Sequence, residues 1–286
     1  MSIIIFNKKP RLKDKIVKGK GVKAPKSVEL EARRAIDKFM MPVYAQLDDW
    51  TNRFIVNFNT QRVTAKQAAE QLRSYQYTFD DYARRQAPYI ATNWTQSVND
   101  INLKRTQKSL GDRLGVDVAA ILEEDAVKAT LGIMLEESTD LIRTIPHDLI
   151  GNIAKRVLQY YKGEMMPEGR TLSQQIQEEF NISANRARVI ARDQTSKLNG
   201  NLNAVRQMNL GIEKYIWRTA GDNRVVGNPV GLYPKGNRMH GNHYERNGKM
   251  FEWTKPPEDG HPGEAIQCRC YAEPLIDINK LKAKWV

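Results

Sequence analysis

From Val28 to Leu210 the apolar residues recur at steps of three and four, and after Gly211 that rhythm stops. A period of 3.6 sustained over so long a stretch leaves little but long amphipathic helices as a solution. Ser27 is placed to cap the first helix, whose buried stripe would be Val28, Ala32, Ile36, Phe39, Met40, Val43, Leu47, Trp50 and Phe54, with Pro42 kinking it. Thr64 and Gln67 form a capping box for a second helix with Ala68, Leu72, Tyr75 and Phe79 inward, and the pattern continues loosely past Pro88. Asp117 is expected to cap a third helix ending at Ile142. Pro146 is expected to open a fourth, since the first helical position tolerates a missing N–H. Gly163 to Gly169 reads as a loop. Thr171 and Gln174 form a second capping box for a short helix ending near Phe180, and Ser183 would cap another from Ala184 to about Asn209, with Gly211 in the left-handed position that ends it.

After Gly211 the chain is turn-rich. Lys214–Arg218, Lys249–Trp253 and Tyr271–Pro274 are short strand candidates, and Asn247-Gly248 is a turn dipeptide. The fold class is therefore mainly α: a long-helix N-terminal part followed by a small α+β C-terminal module. The divisions suggested are a basic arm (1–26), a helical domain (27–140), a helix-then-module domain (141–275) and a basic tail (276–286) that can be helical.

Charge narrows the partners. The 286 residues carry a formal net charge of +12, a field that favours nucleic acid or another acidic surface. Lys8, Lys9, Arg11, Lys13, Lys15, Lys18, Lys20, Lys23 and Lys26 crowd one stretch containing a single acid. That stretch reads as an extended arm with little packing of its own, able to neutralise DNA phosphates. No apolar run is long enough for a membrane span. The N-terminal order of apolar before basic residues is wrong for a signal peptide, and two cysteines cannot make a disulfide framework.

The chemistry-bearing residues lie late. His240, His243, Cys268 and Cys270 are zinc-ligand types, and residues two apart on a strand face one way, so both sulfurs of the C-x-C can meet one ion. The competing reading makes the cysteines small hydrophobes and has the histidines, His261 included, bonding loop carbonyls. Asp222 and Arg224 can pin a turn as a pair or serve a catalytic site. Asn199, Asn203 and Arg206 form a polar stripe on a helix, where asparagine is a poor helix former. It either bonds an adjacent loop or faces solvent.

In order, the chain presents Ala187-Arg-Val-Ile-Ala-Arg192-Asp-Gln-Thr195, Gly211-Ile212, Trp217, Asp222-x-Arg224-Val225, His240 with His243, Gly248, Pro257 with Gly260, Pro262-Gly263 and Cys268-Arg269-Cys270-x-Ala272-x-Pro274. This order resembles the phage minor head protein family, the head-morphogenesis domain of the bacteriophage Mu F protein and its relatives, over roughly Leu141 to Pro274. The resemblance implies a late virion protein made in the host cytoplasm, located in the head interior near the portal vertex. It would act in procapsid assembly beside the portal, major capsid or scaffolding protein, in some relatives with a part in packaging or ejecting double-stranded DNA. The family is not generally known for an enzymatic activity. Arg192, Trp217, Asp222, Arg224 and Arg269 would then be structural. Relatives usually carry Thr-Glu where this chain has Asp193-Gln194. The alternative function is a metal-dependent hydrolase, a nuclease, built on the His/Cys-rich module.

Overall fold

The computed structural model describes residues 4–6, 16–59, 63–114, 125–162, 170–236, 241–281 and 283–285. In chain order the elements are β1 (Ile4–Phe6), β2 (Ile16–Lys18), α1 (Lys26–Asn59), α2 (Ala65–Leu114), α3 (Asp125–Tyr161), α4 (Leu172–Asn209), β3 (Lys214–Arg218), α5 (His243–Arg246), β4 (Met250–Glu252), β5 (Tyr271–Asp277) and β6 (Ala283–Trp285). The protein is mainly helical, with a small antiparallel sheet of order β2-β5-β3-β4 in the C-terminal region.

Two helix boundaries expected from the sequence do not exist. Pro146 lies inside α3, and Ser183 lies inside α4. The buried stripe explains the first: Ile142, Ile145, Leu149, Ile150 and Ile153 stay on one face across the proline, and burying them outweighs a cost of about 3 kcal/mol for an internal proline. Ser183 is buried and accepts a hydrogen bond from the Tyr44 hydroxyl at 3.1 Å, so it serves packing and not capping. Both capping boxes form: Thr64 and Thr171 exchange bonds with Gln67 and Gln174. The expected cap at Asp117 and the loop 163–169 lie outside the described residues.

The chain divides into two compact units, each discontinuous: 1–29 with 94–134 and 192–286, and 30–93 with 135–191. This differs from a cut at 140/141, because α1, α2, α3 and α4 each contribute residues to both units. The elements described in the second unit are all helices. Inside it Phe39 stacks on Tyr82 at 5.2 Å, Trp50 Nε1 donates to Gln71 at 2.9 Å, and Arg156 pairs with the buried Glu179.

The first unit contains the sheet. β5 is central, pairing β2 on one side and β3 on the other. Its residues alternate between half-buried and buried, with Ala272, Pro274 and Ile276 inward, as a period of two requires. Tyr215, Trp217, Trp253 and Ala272 form the core beneath it. α4 ends as anticipated. Gly211 has φ +83°, its N–H reaches Met208 O, and Ile212 N–H reaches Gln207 O, the Schellman pattern. The C-terminal tail is not helical where it is described: Ala283–Trp285 runs parallel to Ile4–Phe6.

The segment from Ile16 to Lys26 is built into the fold and is no loose arm. Ile16–Lys18 pairs with Leu275–Asp277, and Gly19 N–H donates to Pro274 O. Val22 is buried, and its carbonyl accepts from both Asn199 Nδ2 (3.0 Å) and Asn203 Nδ2 (2.9 Å). Asn102 Nδ2 in turn donates to Asn199 Oδ1 at 2.9 Å and Asn203 Oδ1 at 2.8 Å, while its own Oδ1 accepts from Arg206, which is fully buried. The asparagine stripe therefore bonds a loop, resolving the two alternatives. Replacing Asn102 with Leu strands both asparagine oxygens and removes an acceptor from a buried guanidinium. We expect a loss of about 3 kcal/mol, read as a lower urea midpoint; an unchanged midpoint would show that the network contributes nothing net.

Candidate functional site

His243, Cys268 and Cys270 come together at the end of the sheet. Both cysteines are free, and Cys268 and His243 are buried. His243 Nδ1 lies 3.6 Å from Cys268 Sγ and 3.5 Å from Cys270 Sγ, and the three ligand atoms fall within 4.8 Å of one another. A tetrahedral ion about 2.3 Å from sulfur and about 2.0–2.1 Å from nitrogen would hold S and N about 3.5–3.6 Å apart. The group can therefore hold a metal ion with little movement.

The surroundings suit that role. His243 Nε2 bonds Asp259 at 2.8 Å, and the Asp259 side chain is 1% exposed and also ion-paired to Arg246. With Nε2–H donated to the carboxylate, the Nδ1 lone pair is turned to the sulfurs, the arrangement by which carboxylates orient metal-binding histidines. His243 is the first residue of the four-residue α5, whose N-cap Asn242 accepts from Glu245 N–H. Arg246 also lies 5.0 Å over the Trp217 ring, and Trp217 packs on His243 edge to face. The Trp217 indole N–H is buried and makes no hydrogen bond.

Titration within the cluster is shared. Hydrogen bonding from Cys270 and the bond to His243, working against burial, push the Cys268 thiol well down, while the hydrogen bond to Cys268, burial and the charge on Cys268 push Cys270 up. Burial depresses the His243 pKa, but Cys268 and Asp259 more than reverse it, so the net shift is upward. The Asp259 carboxyl is lowered despite burial because Arg246 and His243 face it. One sulfur thus gives up its proton readily and the other holds it.

His261 takes no part. Its Nε2–H donates to Trp253 O at 3.1 Å, its Nδ1 accepts the Tyr215 hydroxyl at 2.8 Å, and burial holds its pKa down. His240 lies outside the described residues. Asp222 finds a different partner from the one its neighbour suggests: Arg269, between the two cysteines, grips both its carboxylate oxygens, while Arg224 contributes its main-chain N–H at 3.0 Å. Arg218, which the sequence did not single out, closes a further pair with Glu273 across β3 and β5, the two oppositely charged strand residues being its only signal.

A basic surface forms where β2 leads into α1. Lys20, Lys23, Arg105 and Lys108 line a cavity of about 730 Å³ with no acidic residue in its wall. Ser109 fixes it by accepting from Lys20 N–H and donating to Lys20 O. Lys18 and Lys26 are also exposed, while Lys8, Lys9, Arg11, Lys13 and Lys15 lie outside the described residues. Sequence reasoning missed Arg105 and Lys108, although Lys104, Arg105 and Lys108 stand at helical spacing.

No helix among the described residues is long and apolar enough to cross a membrane. A fold dominated by helices, with one buried His/Cys/Cys group beside a small sheet, is the class the structure defines. Among curated proteins, an uncharacterized protein of Haemophilus influenzae (strain ATCC 51907 / DSM 11121 / KW20 / Rd) is 27% identical over 97% of this chain, and the chain spans 59% of that relative's length. No protein-family model matches the chain, and no solved structure matches it significantly.

The Asp222 carboxyl is held below its usual range, chiefly by the bonds from Arg269. A lowered folded-state pKa stabilises the fold at pH values above the unfolded pKa of about 4, and that contribution is lost as the pH falls through the folded value. Asp222→Asn should therefore melt below the parent at neutral pH, and the gap should close in acid. A gap that stays constant with pH would mean that the pair contributes only shape.

Proposed function

We propose that the chain is a phage minor head protein that acts in head assembly, contacts the portal or capsid lining, and touches packaged DNA. Its place would be the head interior near the portal, after synthesis in the host cytoplasm. The observation that carries the reading is the acid-free basic cavity of Lys20, Lys23, Arg105 and Lys108, a surface suited to DNA phosphates. The motif order supports it as well: Trp217, Asp222, His243, Cys268, Arg269 and Cys270 meet in one module. The hydrolase reading has less support, because the two carboxylates next to the metal group, Asp222 and Asp259, are each engaged by an arginine.

Co-expressed with the portal and major capsid proteins of its own genome, the chain should co-sediment with procapsids; heads that assemble without it would overturn the reading. The substitutions Lys20→Gln, Lys23→Gln, Arg105→Gln and Lys108→Gln together should lower the slope of log K against log salt for duplex DNA by about 3 to 4. An unchanged slope would move DNA contact elsewhere.

The metal at His243, Cys268 and Cys270 is proposed to be zinc, which takes thiolate and imidazole together. Its contribution would be structural: it would tie α5 to the C-x-C of a module whose strands are only three to seven residues long. Purified protein should contain about one zinc per chain by mass spectrometry, and Cys268→Ser should lose it. A metal-free parent protein would leave the cluster held by hydrogen bonds alone.

A further inference from the structure

Beside the metal group lies a second basic cavity, of about 520 Å³. Four cationic side chains line it from three separate stretches: Arg192 from α4, Arg224 and Lys235 from the loop after β3, and Arg269 from between the cysteines. No acidic residue is in its wall. Two of the four are partly balanced from outside it, Arg269 by Asp222 and Arg192 by Glu29 at 3.5 Å. Four like charges brought around one opening raise each other's energy unless an anion is present to lower it.

The backbone at the cavity is also strained. Gln267 has φ +57°, the one positive value for a non-glycine residue among those described. It is held there from α4: the Asp193 carboxylate accepts Gln267 N–H at 2.9 Å, and Arg192 Nη1 donates to Gln267 Oε1 at 3.2 Å. A strained residue persists where the surroundings over-determine it, and such residues cluster at ligand sites. Here the strain brings Gln267 into the wall between the cavity and the cysteines. Tyr233 adds a half-exposed ring and hydroxyl to the same wall. A smaller cavity of about 50 Å³ shares Arg224, Gln267 and Arg269 with it and reaches His243, Cys268 and Cys270.

We infer that this cavity binds a phosphate group, held by Arg192, Arg224, Lys235 and Arg269, with Tyr233 placed to stack on an attached base. Guanidinium groups match phosphate oxygens in pairs, and an aromatic ring beside them suits a nucleotide. The phosphate can come from a nucleic-acid strand or from a free phosphate compound. The site is separate from the Lys20/Lys23 surface and does not depend on the head-assembly reading.

The test uses the full chain and the double variant Arg224→Gln/Lys235→Gln, which leaves in place the Arg269 side-chain bonds to Asp222 and the contacts among His243, Cys268 and Cys270. Pyrophosphate binding is measured by calorimetry, and binding of a labelled single-stranded oligonucleotide by anisotropy across a salt series. The double variant should weaken pyrophosphate by about tenfold or more, and lower the oligonucleotide salt slope by about 1.4. Loss for pyrophosphate alone assigns the site to small phosphates; loss for the oligonucleotide alone assigns it to a strand. Either supports the inference. Unchanged binding of both overturns it, as does a loss of pyrophosphate binding that appears instead in Lys20→Gln/Lys23→Gln. A chain that enters procapsids but binds no phosphate here would fail this inference while leaving the proposed function standing.

Discussion

One main-chain carbonyl, that of Val22, receives two side-chain donors from α4, and much of the sheet-bearing unit follows from that arrangement. A buried carbonyl has two lone pairs to satisfy, and a loop offers it no ladder partner. Asn199 and Asn203, one helical turn apart, supply both donors, and Asn102 on α2 satisfies their oxygens. The segment between β2 and α1 is thereby fixed in register against two helices. With Val22 anchored, Gly19 reaches Pro274 and β2 can lie beside β5. Lys20 and Lys23 are left outward on either side of the buried residue, which places them next to Arg105 and Lys108.

The same helix sets the other end of the unit. At Gly200 a Cβ would meet the Pro262 carbonyl at 2.6 Å, so only glycine lets the 262–263 loop lie against α4. Two turns earlier Arg192 and Asp193 reach Gln267 and hold its left-handed backbone. The Asp193 carboxylate has a definite task here, which is to steer the chain into Cys268-Arg269-Cys270. Arg269 then points away to Asp222 while the two flanking sulfurs turn to His243.

Much of this was legible in the sequence because it rests on period and on local chemistry. The 3.6-residue rhythm gave the helical stretches, the capping boxes at Thr64 and Thr171 formed, and Gly211 ended α4. The failures share a cause. Pro146 and Ser183 are local stop or start signals overridden by a buried stripe that continues through them. The lysine-rich segment from Ile16 looked unpacked because its few apolar residues carry no period, yet Val22 needs only a partner elsewhere. Long-range pairings such as Asp222 with Arg269 and Gln267 with Asp193 leave no trace in spacing. The C-x-C with a distant histidine was visible as a ligand set, but Asp259, which orients His243, carried no signal of its own.

Charge balance explains how a buried cluster of this kind can be tolerated, with or without an ion. Cys268 and His243 each favour the other's charged form, and Asp259 faces Arg246. A zinc ion, as proposed, would require both sulfurs as thiolates and His243 neutral, its two positive charges balancing the two sulfurs. The Asp259–Arg246 pair is needed in both forms, because it holds α5 in place and α5 is too short to be stable alone. Arg246 reaches that carboxylate while lying over Trp217, and Trp217 packs edge to face on His243. The ring, the ion pair and the imidazole therefore constrain one another, and they leave the three possible ligand atoms within 4.8 Å of one another.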